Sequence, residues 1–208
     1  SERAYARGVS WLTLFAFSSE NWQRSSLELK GIMAVLQHYL QHEFHVLAEN
    51  NIRLRVIGDL SRFPNDIQSL LKENVANTAH NTGLNLTVAL GYGGQSDITY
   101  AAQQIAAAVK EGDLNPDSIT AETVKANLMT HQLPPVDLLL RTGGEERVSN
   151  FLLWDLAYAE LFFSDVLWPD FTTELLDQVI DQFEGRNRRY GAGSGAEPIN
   201  VSAKTANL

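Results

Sequence analysis

Cysteine is absent from the 208 residues of this chain. Its absence excludes disulfide bonds, thiolate metal sites and cysteine nucleophiles, and it is compatible with a reducing cytoplasm. The chain also lacks any run of about 18 apolar residues, so we expect no integral membrane segment. Positive charge is scarce, since 16 lysines and arginines face 25 aspartates and glutamates, a formal net charge of −9. Such a surface repels nucleic acid, so an anionic ligand would need a compact basic pocket.

The chain does contain a regular alternation of short β-rich runs and longer helical patterns. Apolar residues make up 44% of it and charged residues 20%, which suits one domain with a substantial core. The alternation predicts a single α/β domain with a mainly parallel central sheet flanked by helices. The predicted strands are Trp11–Ser18, Ile52–Asp59, Leu84–Gly91, Val136–Arg141 and Glu160–Val166. The predicted helices are Ser26–Asn50, Asn65–Thr82, Asp97–Lys110, Ala121–Met129, Asn150–Ala159 and Thr173–Arg186.

The last part of the chain has the composition of a linker. Glycine and other small residues are frequent from Gly191 onward, and no apolar periodicity follows. Such composition favours disorder. We therefore expect a folded domain over residues 1–191 and a disordered tail over residues 192–208.

Polar residues crowd the ends of two predicted strands. After the first strand, the run Ser18–Arg24 holds a hydroxyl, a carboxylate, an amide, an indole and a guanidinium. After the fourth strand, Arg141 and Arg147 bracket a glycine pair, and Ser149 precedes the next predicted helix. Guanidinium groups pair with phosphate oxygens and a helix start adds partial positive charge, so this segment can cradle a diphosphate. The alternative is an ordinary turn whose arginines form surface ion pairs.

Glu160 interrupts the apolar stretch Leu156–Phe163. A buried carboxylate is unfavourable without a partner, so we expect Glu160 to meet a cation. That cation is either a metal ion or an arginine, and the residues themselves leave both open.

Several separated blocks occur together in one order and spacing, from about Val9 to Gly191. They are Phe17-Ser18-Ser19-Glu20-Asn21-Trp22 with Arg24, Ile57-Gly58-Asp59, Val136-Asp137-Leu138, Arg141-Thr142-Gly143-Gly144-Glu145, Arg147 with Ser149-Asn150-Phe151-Leu152-Leu153-Trp154, Tyr158-Ala159-Glu160 and Trp168-Pro169-Asp170-Phe171. In this combination the chain resembles the bacterial undecaprenyl diphosphate synthases of the cis-prenyltransferase family. The resemblance implies the α/β fold of that family.

The resemblance also implies an activity. It is the repeated condensation of isopentenyl diphosphate onto an allylic diphosphate such as farnesyl diphosphate, which gives undecaprenyl diphosphate for the carrier lipid of cell-wall synthesis. A cytoplasmic, Mg²⁺-dependent homodimer is implied as well. Mg²⁺ suits the role because it bridges phosphate oxygens and few carboxylates.

The same resemblance implies roles for individual residues. The implied catalytic residues are Ser18, Glu20 and Asn21. The implied substrate-binding residues are Trp22, Arg24, Arg141, Arg147, Ser149 and Arg189. Glu160 would help to bind Mg²⁺, and Arg189, in an Arg-x-Gly motif, would reach the active site of the partner subunit.

An elongation tunnel for the product is implied too. The matching positions are Ala16, Ile32, Leu36, Ile52, Leu54, Leu84 and Leu86. Burying each added methylene contributes about 0.8 kcal/mol, so an apolar tunnel favours chain extension. The same residues also fit a plain core, and periodicity does not separate the two.

Two departures from the family pattern affect what we expect. Relatives have a strand ending in Met-Asp-Gly-Asn-Gly-Arg-Trp, with the aspartate that binds Mg²⁺, and then a helix, both before the point where this sequence begins. We therefore expect either an upstream segment outside this sequence or a truncated protein. Gln95 stands where relatives have an arginine, so a charged contact should be lost. The rival interpretations are a non-catalytic partner subunit of a prenyltransferase and a generic phosphate-binding α/β module.

Overall fold

The computed structural model of the chain describes residues 1–42 and 45–186, and the backbone of residues 204–207. Its helices are α1 (Glu2–Ala6), α2 (Ser26–His42), α3 (His45–Glu49), α4 (Asn65–Asn77), α5 (Gly94–Glu111), α6 (Ala121–Asn127) and α7 (Thr173–Glu184). Its strands are β1 (Val9–Ser18), β2 (Arg53–Ile57), β3 (Asn85–Tyr92), β4 (Leu138–Arg141), β5 (Glu160–Phe163) and β6 (Lys204–Asn207). Short 3₁₀ helices cover Ser19–Gln23, Pro116–Ser118 and Trp168–Asp170. Each helix in the described ranges is too short or too polar to traverse a lipid bilayer.

The strands form one six-stranded sheet in the order β2-β3-β1-β6-β4-β5. Every pairing that the structure describes is parallel. The predicted α/β domain with a mainly parallel sheet flanked by helices is therefore confirmed. Parallel strands bring their C-terminal ends to one edge of the sheet, where Ser18, Tyr92 and Arg141 end β1, β3 and β4.

Strand β1 has a bulge at Ala16. Phe15 pairs with Ala89 and Phe17 pairs with Leu90, so Ala16 is the extra residue. Side chains two positions apart on a regular strand share one face of the sheet. Across this bulge they do not, because Phe15 and Phe17 belong to the cores on opposite faces. The bulge therefore reshapes the end of β1, where the polar run from Ser18 begins.

Apolar side chains cover both faces of the sheet. On one face, a cluster contains Leu12 of β1 and Ile180 of α7, and a second contains Leu90 of β3 and Ile67 of α4. The third cluster contains Leu139 and lies on the opposite face, since neighbouring residues of β4 alternate in direction. The sheet is thus held between two apolar layers, while its C-terminal edge stays open to polar loops.

The predicted helix Asn150–Ala159 is wrong. Turns and bends replace it, because Ser149, Asn150 and Leu152 have positive φ angles of 46°, 64° and 42°. A right-handed helix requires negative φ angles. Phe151 and Leu152 are buried, so the apolar run records tertiary burial rather than a helix face. Consequently no helix dipole begins at Ser149, and the positive charge expected from a helix start there is absent from this described segment.

The ends of the chain's elements differ from prediction in other places. The predicted helix Ser26–Asn50 is divided into α2 and α3, and residues 43–44 between them lie outside the described residues. The expected disordered tail also needs correction, because Lys204–Asn207 form strand β6 between β1 and β4. The open edges of two neighbouring strands favour pairing with any extended segment. The rest of that tail, 192–203 and 208, lies outside the described residues.

Candidate functional site

A cavity of about 560 Å³ lies between the C-terminal ends of β1 and β4. Strand β6 occupies the space between these strands only as far as Thr13 of β1 and Leu139 of β4. Further toward the C-terminal ends of β1 and β4, the cavity occupies the space between the two strands. The residues that line it are Leu14, Phe15, Ala16, Ser18, Asn21, Leu139, Leu140, Arg141, Thr142, Arg147, Val148, Ser149, Phe151 and Trp168. Its wall is therefore largely apolar, with hydroxyl, amide and guanidinium groups at the strand ends.

The glycine pair after β4 makes a turn that only glycine adopts easily. Gly143 and Gly144 have φ angles of 88° and 73°, in the left-handed region where a side chain causes strain. Their N–H groups donate hydrogen bonds of 2.9 Å to the carbonyl oxygens of Val166 and Ser164. The turn is thereby fixed to the loop that follows β5, and the chain returns to the cavity at Arg147.

Three of the predicted substrate-binding residues meet at this cavity. Arg141 Nη1 donates a 2.7 Å hydrogen bond to Ser149 Oγ and another to the carbonyl of Arg147. The Arg147 side chain is 62% exposed and forms an ion pair with Glu145, as the surface-pair interpretation expected. In the part of the chain that the structure describes, no residue lining the cavity carries a carboxylate. The two guanidinium groups therefore suit the oxygens of a diphosphate, which would replace Glu145 as the partner of Arg147.

The polar run after β1 is divided between the cavity and its surroundings. Ser18 and Asn21 line the cavity, and the Ser18 N–H donates a 2.9 Å hydrogen bond to Asn21 Oδ1. Glu20 accepts hydrogen bonds from Asn150 Nδ2 at 2.7 Å and Ser19 Oγ at 3.1 Å. Burial opposes the ionisation of Glu20, but the hydrogen bond from Asn150 and those of the adjoining turn lower its pKa below the ordinary value. Glu20 is therefore held as a carboxylate beside the cavity.

Trp22 and Arg24 do not line the cavity. The Trp22 ring packs edge to face on Phe17 and Phe63, with the Arg62 guanidinium 4.6 Å above it. Arg24 forms an exposed ion pair of 3.5 Å with Glu28 one helical turn later. In the described structure both side chains support the loop after β1, and their predicted contacts with substrate stay predictions.

Glu160 has the arginine partner that was one of its two alternatives. Arg186 Nη1 donates a 2.6 Å hydrogen bond to Glu160 Oε2, and its guanidinium stacks 4.1 Å from the Phe162 ring centroid. Glu160 begins β5 and is not among the residues that line the cavity. Its predicted role in binding Mg²⁺ would require this ion pair to open. Arg189 lies outside the described residues.

A family model described as "Putative undecaprenyl diphosphate synthase" matches residues 1–191. The chain belongs to this prenyltransferase family. Two relatives carry the name ditrans,polycis-undecaprenyl-diphosphate synthase ((2E,6E)-farnesyl-diphosphate specific). That of Salmonella paratyphi A is 48% identical over 191 residues, 92% of this chain and 75% of that protein. That of Escherichia coli (strain K12) is 47% identical over 196 residues, 94% of this chain and 76% of that protein.

Solved structures of the same type superpose on the chain. Lavandulyl diphosphate synthase from Lavandula x intermedia, in complex with dimethylallyl diphosphate, has a TM-score of 0.87 and 35% identity. The match covers 91% of this chain and 82% of that one. A "probable undecaprenyl diphosphate synthase" from Campylobacter jejuni has a TM-score of 0.80 and 35% identity, covering 91% and 87% of the two chains. These matches confirm the cis-prenyltransferase type of fold.

The tunnel positions expected of a prenyltransferase are distributed between the cavity and the core. Ala16, at the bulge, lines the cavity. Ile32 and Leu36 of α2 are half-buried against the cluster around α4. The other four are buried, and none of them lines the cavity at Arg141 in the described structure: Ile52, Leu54, Leu84 and Leu86. Their tunnel role stays a prediction, and their observed role is core packing.

Sequence reasoning missed several residues of the prenyltransferase site. Phe15 and Phe151 stack at 4.4 Å between ring centroids in the cavity wall, and Asn150 contacts both Glu20 and the start of α5. The signal for Asn150 and Phe151 was available, because both follow Ser149 within a block that resembles the family. The predicted helix concealed it, since a helix would have directed these side chains elsewhere.

Proposed function

We propose that the protein is a cis-prenyltransferase that extends farnesyl diphosphate with isopentenyl diphosphate to undecaprenyl diphosphate, the carrier lipid precursor of cell-wall synthesis. The observation that carries this proposal is the cavity, where Arg141, Arg147 and Ser149 stand beside an apolar wall that includes Phe15 and Phe151. A prenyl diphosphate has the same division into an anionic head and an apolar chain. The names of the relatives, and the allylic diphosphate bound by the lavender enzyme, support this assignment.

Each proposed condensation adds one five-carbon unit to the allylic chain and releases one diphosphate. C4 of isopentenyl diphosphate bonds to C1 of the allylic chain, whose C1–O bond breaks. The diphosphate leaves with that electron pair, and C2 of the added unit loses a proton to the departing diphosphate. In this scheme Arg141, Arg147 and Ser149 hold the diphosphate of isopentenyl diphosphate through charged hydrogen bonds. Ser18 and Asn21, on the β1 side of the cavity, orient the reacting ends.

The proposed Mg²⁺ dependence rests on the family resemblance. Among the described residues, no group of three or more His, Asp or Glu side chains is placed to hold a metal ion. The cavity wall lacks carboxylates over its described residues, and Glu160 is paired with Arg186. Mg²⁺ is bound in many phosphate-transfer sites by substrate oxygens and few carboxylates. We therefore propose that oxygens of the substrate diphosphate, with Glu160 once it leaves Arg186, would hold Mg²⁺, which would neutralise charge on the leaving diphosphate. Chelation should then abolish turnover.

The growing chain needs an apolar path beyond the cavity, and α2 is our candidate for its outer wall. Within the described length of α2, Leu40 is the single residue that is fully buried. Leu27, Val35 and Tyr39 are apolar yet exposed. In this proposal the growing chain passes between α2 and the sheet, on the side of the half-buried residues Ile32 and Leu36.

We also propose a cytoplasmic homodimer. The edge strand β5 and the loop after it expose apolar side chains at Leu161, Phe163 and Leu167. Neighbouring exposed apolar residues on a sheet edge are typical of an interaction surface. Light scattering coupled to size-exclusion chromatography tests this part, and a mass of one chain would contradict it.

Turnover of defined substrates tests the proposed function. The full-length gene product is incubated with farnesyl diphosphate, radiolabelled isopentenyl diphosphate and Mg²⁺, and the products are separated by chain length. We expect a long polyprenyl diphosphate from the wild type and a large loss with Arg141→Ala. The matched control is Arg3→Ala on α1, because Arg3 pairs with Asp177 of α7 and is not among the residues that line the cavity.

Two outcomes contradict the proposal. A folded wild type that releases no product would favour the non-catalytic partner subunit. Binding of inorganic diphosphate that depends on Arg141, without turnover of any prenyl substrate, would favour a generic phosphate-binding module.

A further inference from the structure

Asn150 connects the ends of three different strands. Its Nδ2 donates a 2.7 Å hydrogen bond to Glu20 Oε1, after β1. Its Oδ1 accepts a 2.8 Å hydrogen bond from the Gln95 N–H, and its carbonyl accepts a 2.6 Å hydrogen bond from the Gly94 N–H, after β3. Asn150 itself belongs to the segment after β4. Through one residue, therefore, three loops around the cavity are fixed relative to one another.

The chemistry of these partners requires an amide at this position. A backbone N–H can only donate, so the side-chain atom facing Gln95 must be an acceptor. An ionised Glu20 can only accept, so the atom facing it must be a donor. Among side chains of this length, asparagine alone offers both. Aspartate would place a second carboxylate against Glu20, and leucine would satisfy neither partner.

The backbone at Asn150 is also specialised. Its φ angle of 64° lies in the left-handed region, which asparagine adopts more readily than most residues. Ser149, with a φ angle of 46°, precedes it and accepts the 2.7 Å hydrogen bond from Arg141. The turn that directs the Asn150 amide to Glu20 is thus the same turn that directs Ser149 to Arg141.

Close packing supports this arrangement. A Cβ atom added at Gly93 would lie 2.7 Å from Asn150 Nδ2 and would overlap Ser19 Oγ. Glycine at position 93 therefore allows the β1, β3 and β4 loops to approach. The Gln95 side chain, at the position where the family resemblance led us to expect an arginine, is exposed, whereas its backbone N–H makes the contact with Asn150.

We propose that Asn150 is a positioning residue of the prenyl-transfer site, which holds Glu20 on one side of the cavity in register with Ser149 and Arg141 on the other. The role in prenyl transfer rests on the proposed function, whereas the contact with Glu20 does not. Displacing a reacting group by about 1 Å can lower a rate about 100-fold. We therefore expect Asn150 to affect kcat more than the KM for isopentenyl diphosphate.

Two variants distinguish the effect of losing the side-chain hydrogen bonds from the effect of straining the backbone. Asn150→Gly keeps access to a positive φ angle and removes the amide, whereas Asn150→Ala removes the amide and strains the turn. We expect both to lower kcat about 10- to 100-fold. In Asn150→Gly the KM for isopentenyl diphosphate should change by less than about threefold, whereas the strained turn of Asn150→Ala, which also positions Ser149, should raise this KM further. Asn150→Asp should shift the acid limb of the pH–rate profile to higher pH, because a second carboxylate disfavours the ionised form of Glu20.

Asn51 provides the matched control. It is another asparagine with a positive φ angle, 56°. Its Nδ2 donates a hydrogen bond to Thr82 Oγ1, and its Oδ1 accepts one from the Thr82 N–H. Asn51→Ala and Asn51→Gly should change thermal stability but leave kcat and the pH profile as in the wild type. Equal kinetic losses in the two series, in proportion to stability, would overturn the positioning role.

A titration of the Glu20 carboxyl carbon by NMR, without substrate, tests the contact independently of turnover. We expect its midpoint to move to higher pH in Asn150→Ala and to stay unchanged in Asn51→Ala. An unchanged midpoint in Asn150→Ala would overturn the contact itself. A wild type without turnover would overturn the proposed function and the kinetic role together, while a shifted midpoint would still show that Asn150 holds Glu20.

Discussion

The Tyr92 hydroxyl donates a 2.9 Å hydrogen bond to Asp97 Oδ2 in the buried junction between β3 and α5. Tyr92 is 1% exposed and Asp97 2% exposed. The other carboxyl oxygen of Asp97 accepts a 2.7 Å hydrogen bond from the Met129 N–H. One buried carboxyl group thus links the end of β3, the first turn of α5 and the segment after α6, behind the loops of the candidate site.

Removing the Tyr92 hydroxyl should destabilise this junction. Tyr92→Phe keeps the edge-to-face contacts of the ring with Phe15 and Phe151 but leaves Asp97 Oδ2 without its donor. We expect a loss of about 1–3 kcal/mol in the free energy of unfolding, measured by urea denaturation. Tyr39→Phe, at an exposed position of α2, is the control. Equal midpoints for the two variants would contradict the prediction.

The same carboxyl group predicts a pH dependence. Burial raises the pKa of Asp97, although hydrogen bonds from Met129 and Tyr92 oppose the increase. A carboxyl with a raised pKa in the folded state binds more protons there than in the unfolded chain. Its contribution is therefore present below the unfolded pKa and is lost as pH rises through the folded pKa. The stability of the wild type relative to Asp97→Asn should fall as pH rises over this range.

This comparison has a direct control. Asp113→Asn, an exposed residue after α5, should show no such trend against the wild type. A stability difference between the wild type and Asp97→Asn that is flat or rises with pH would show that Asp97 does not retain its proton on folding.

A second buried carboxylate depends on a lysine. The Asp155 side chain is 3% exposed and forms an ion pair with Lys125 Nζ, which also donates a 2.7 Å hydrogen bond to the Thr130 carbonyl. Removing one partner of such a pair leaves an uncompensated charge, so Lys125→Met should cost about 3–5 kcal/mol. Lys110→Met, on the exposed side of α5, is the matched control and should unfold at nearly the wild-type urea concentration. A Lys125→Met variant that unfolds at the same urea concentration as the control would refute the prediction.

Gly58 belongs to a block that looked functional, but the structure gives it a packing role. Its φ angle is 112°, and an added Cβ would overlap the Leu90 carbonyl, only 2.9 Å from its carbon atom. We expect Gly58→Ala to destabilise the fold by at least about 1–3 kcal/mol. Gly31→Ala, within α2 and with open space around it, should instead stabilise by about 0.5–1 kcal/mol. Thermal unfolding of both variants checks the opposite signs, and equal signs would contradict the argument.

Arg141 should tolerate lysine poorly. Its Nη1 donates both to Ser149 Oγ and to the Arg147 carbonyl. The planar guanidinium can still present its other N–H groups to a diphosphate, which a single ammonium used in the same way does not. We expect Arg141→Lys to raise the KM for isopentenyl diphosphate about 10-fold or more, equivalent to about 1.4 kcal/mol of binding, while Arg3→Lys leaves it unchanged. Steady-state kinetics at saturating farnesyl diphosphate provide the measurement. A wild-type KM in Arg141→Lys would remove Arg141 from the diphosphate site.

Local patterns predicted much of the fold. Short runs rich in β-forming apolar residues marked β1, β2, β3 and β4 to within a few positions, since strand propensity depends on residues close together in sequence. The same local patterns predicted a helix over Asn150–Ala159, which the structure does not have. An apolar run that is buried from all sides has no distinctive period, and the positive φ angles at Asn150 and Leu152 leave no mark in composition.

In the candidate site, too, some features followed from the sequence and others only from the tertiary structure. The sequence by itself determined the parallel α/β class, the family, and the presence of Arg141, Arg147 and Ser149 after one strand. Only the tertiary structure decided that Ala16 is a bulge, that Glu160 meets Arg186, and that Asn150 reaches Glu20 across 130 positions. Local propensities are encoded by residues a few positions apart, whereas these contacts depend on where separate loops meet when the sheet is assembled.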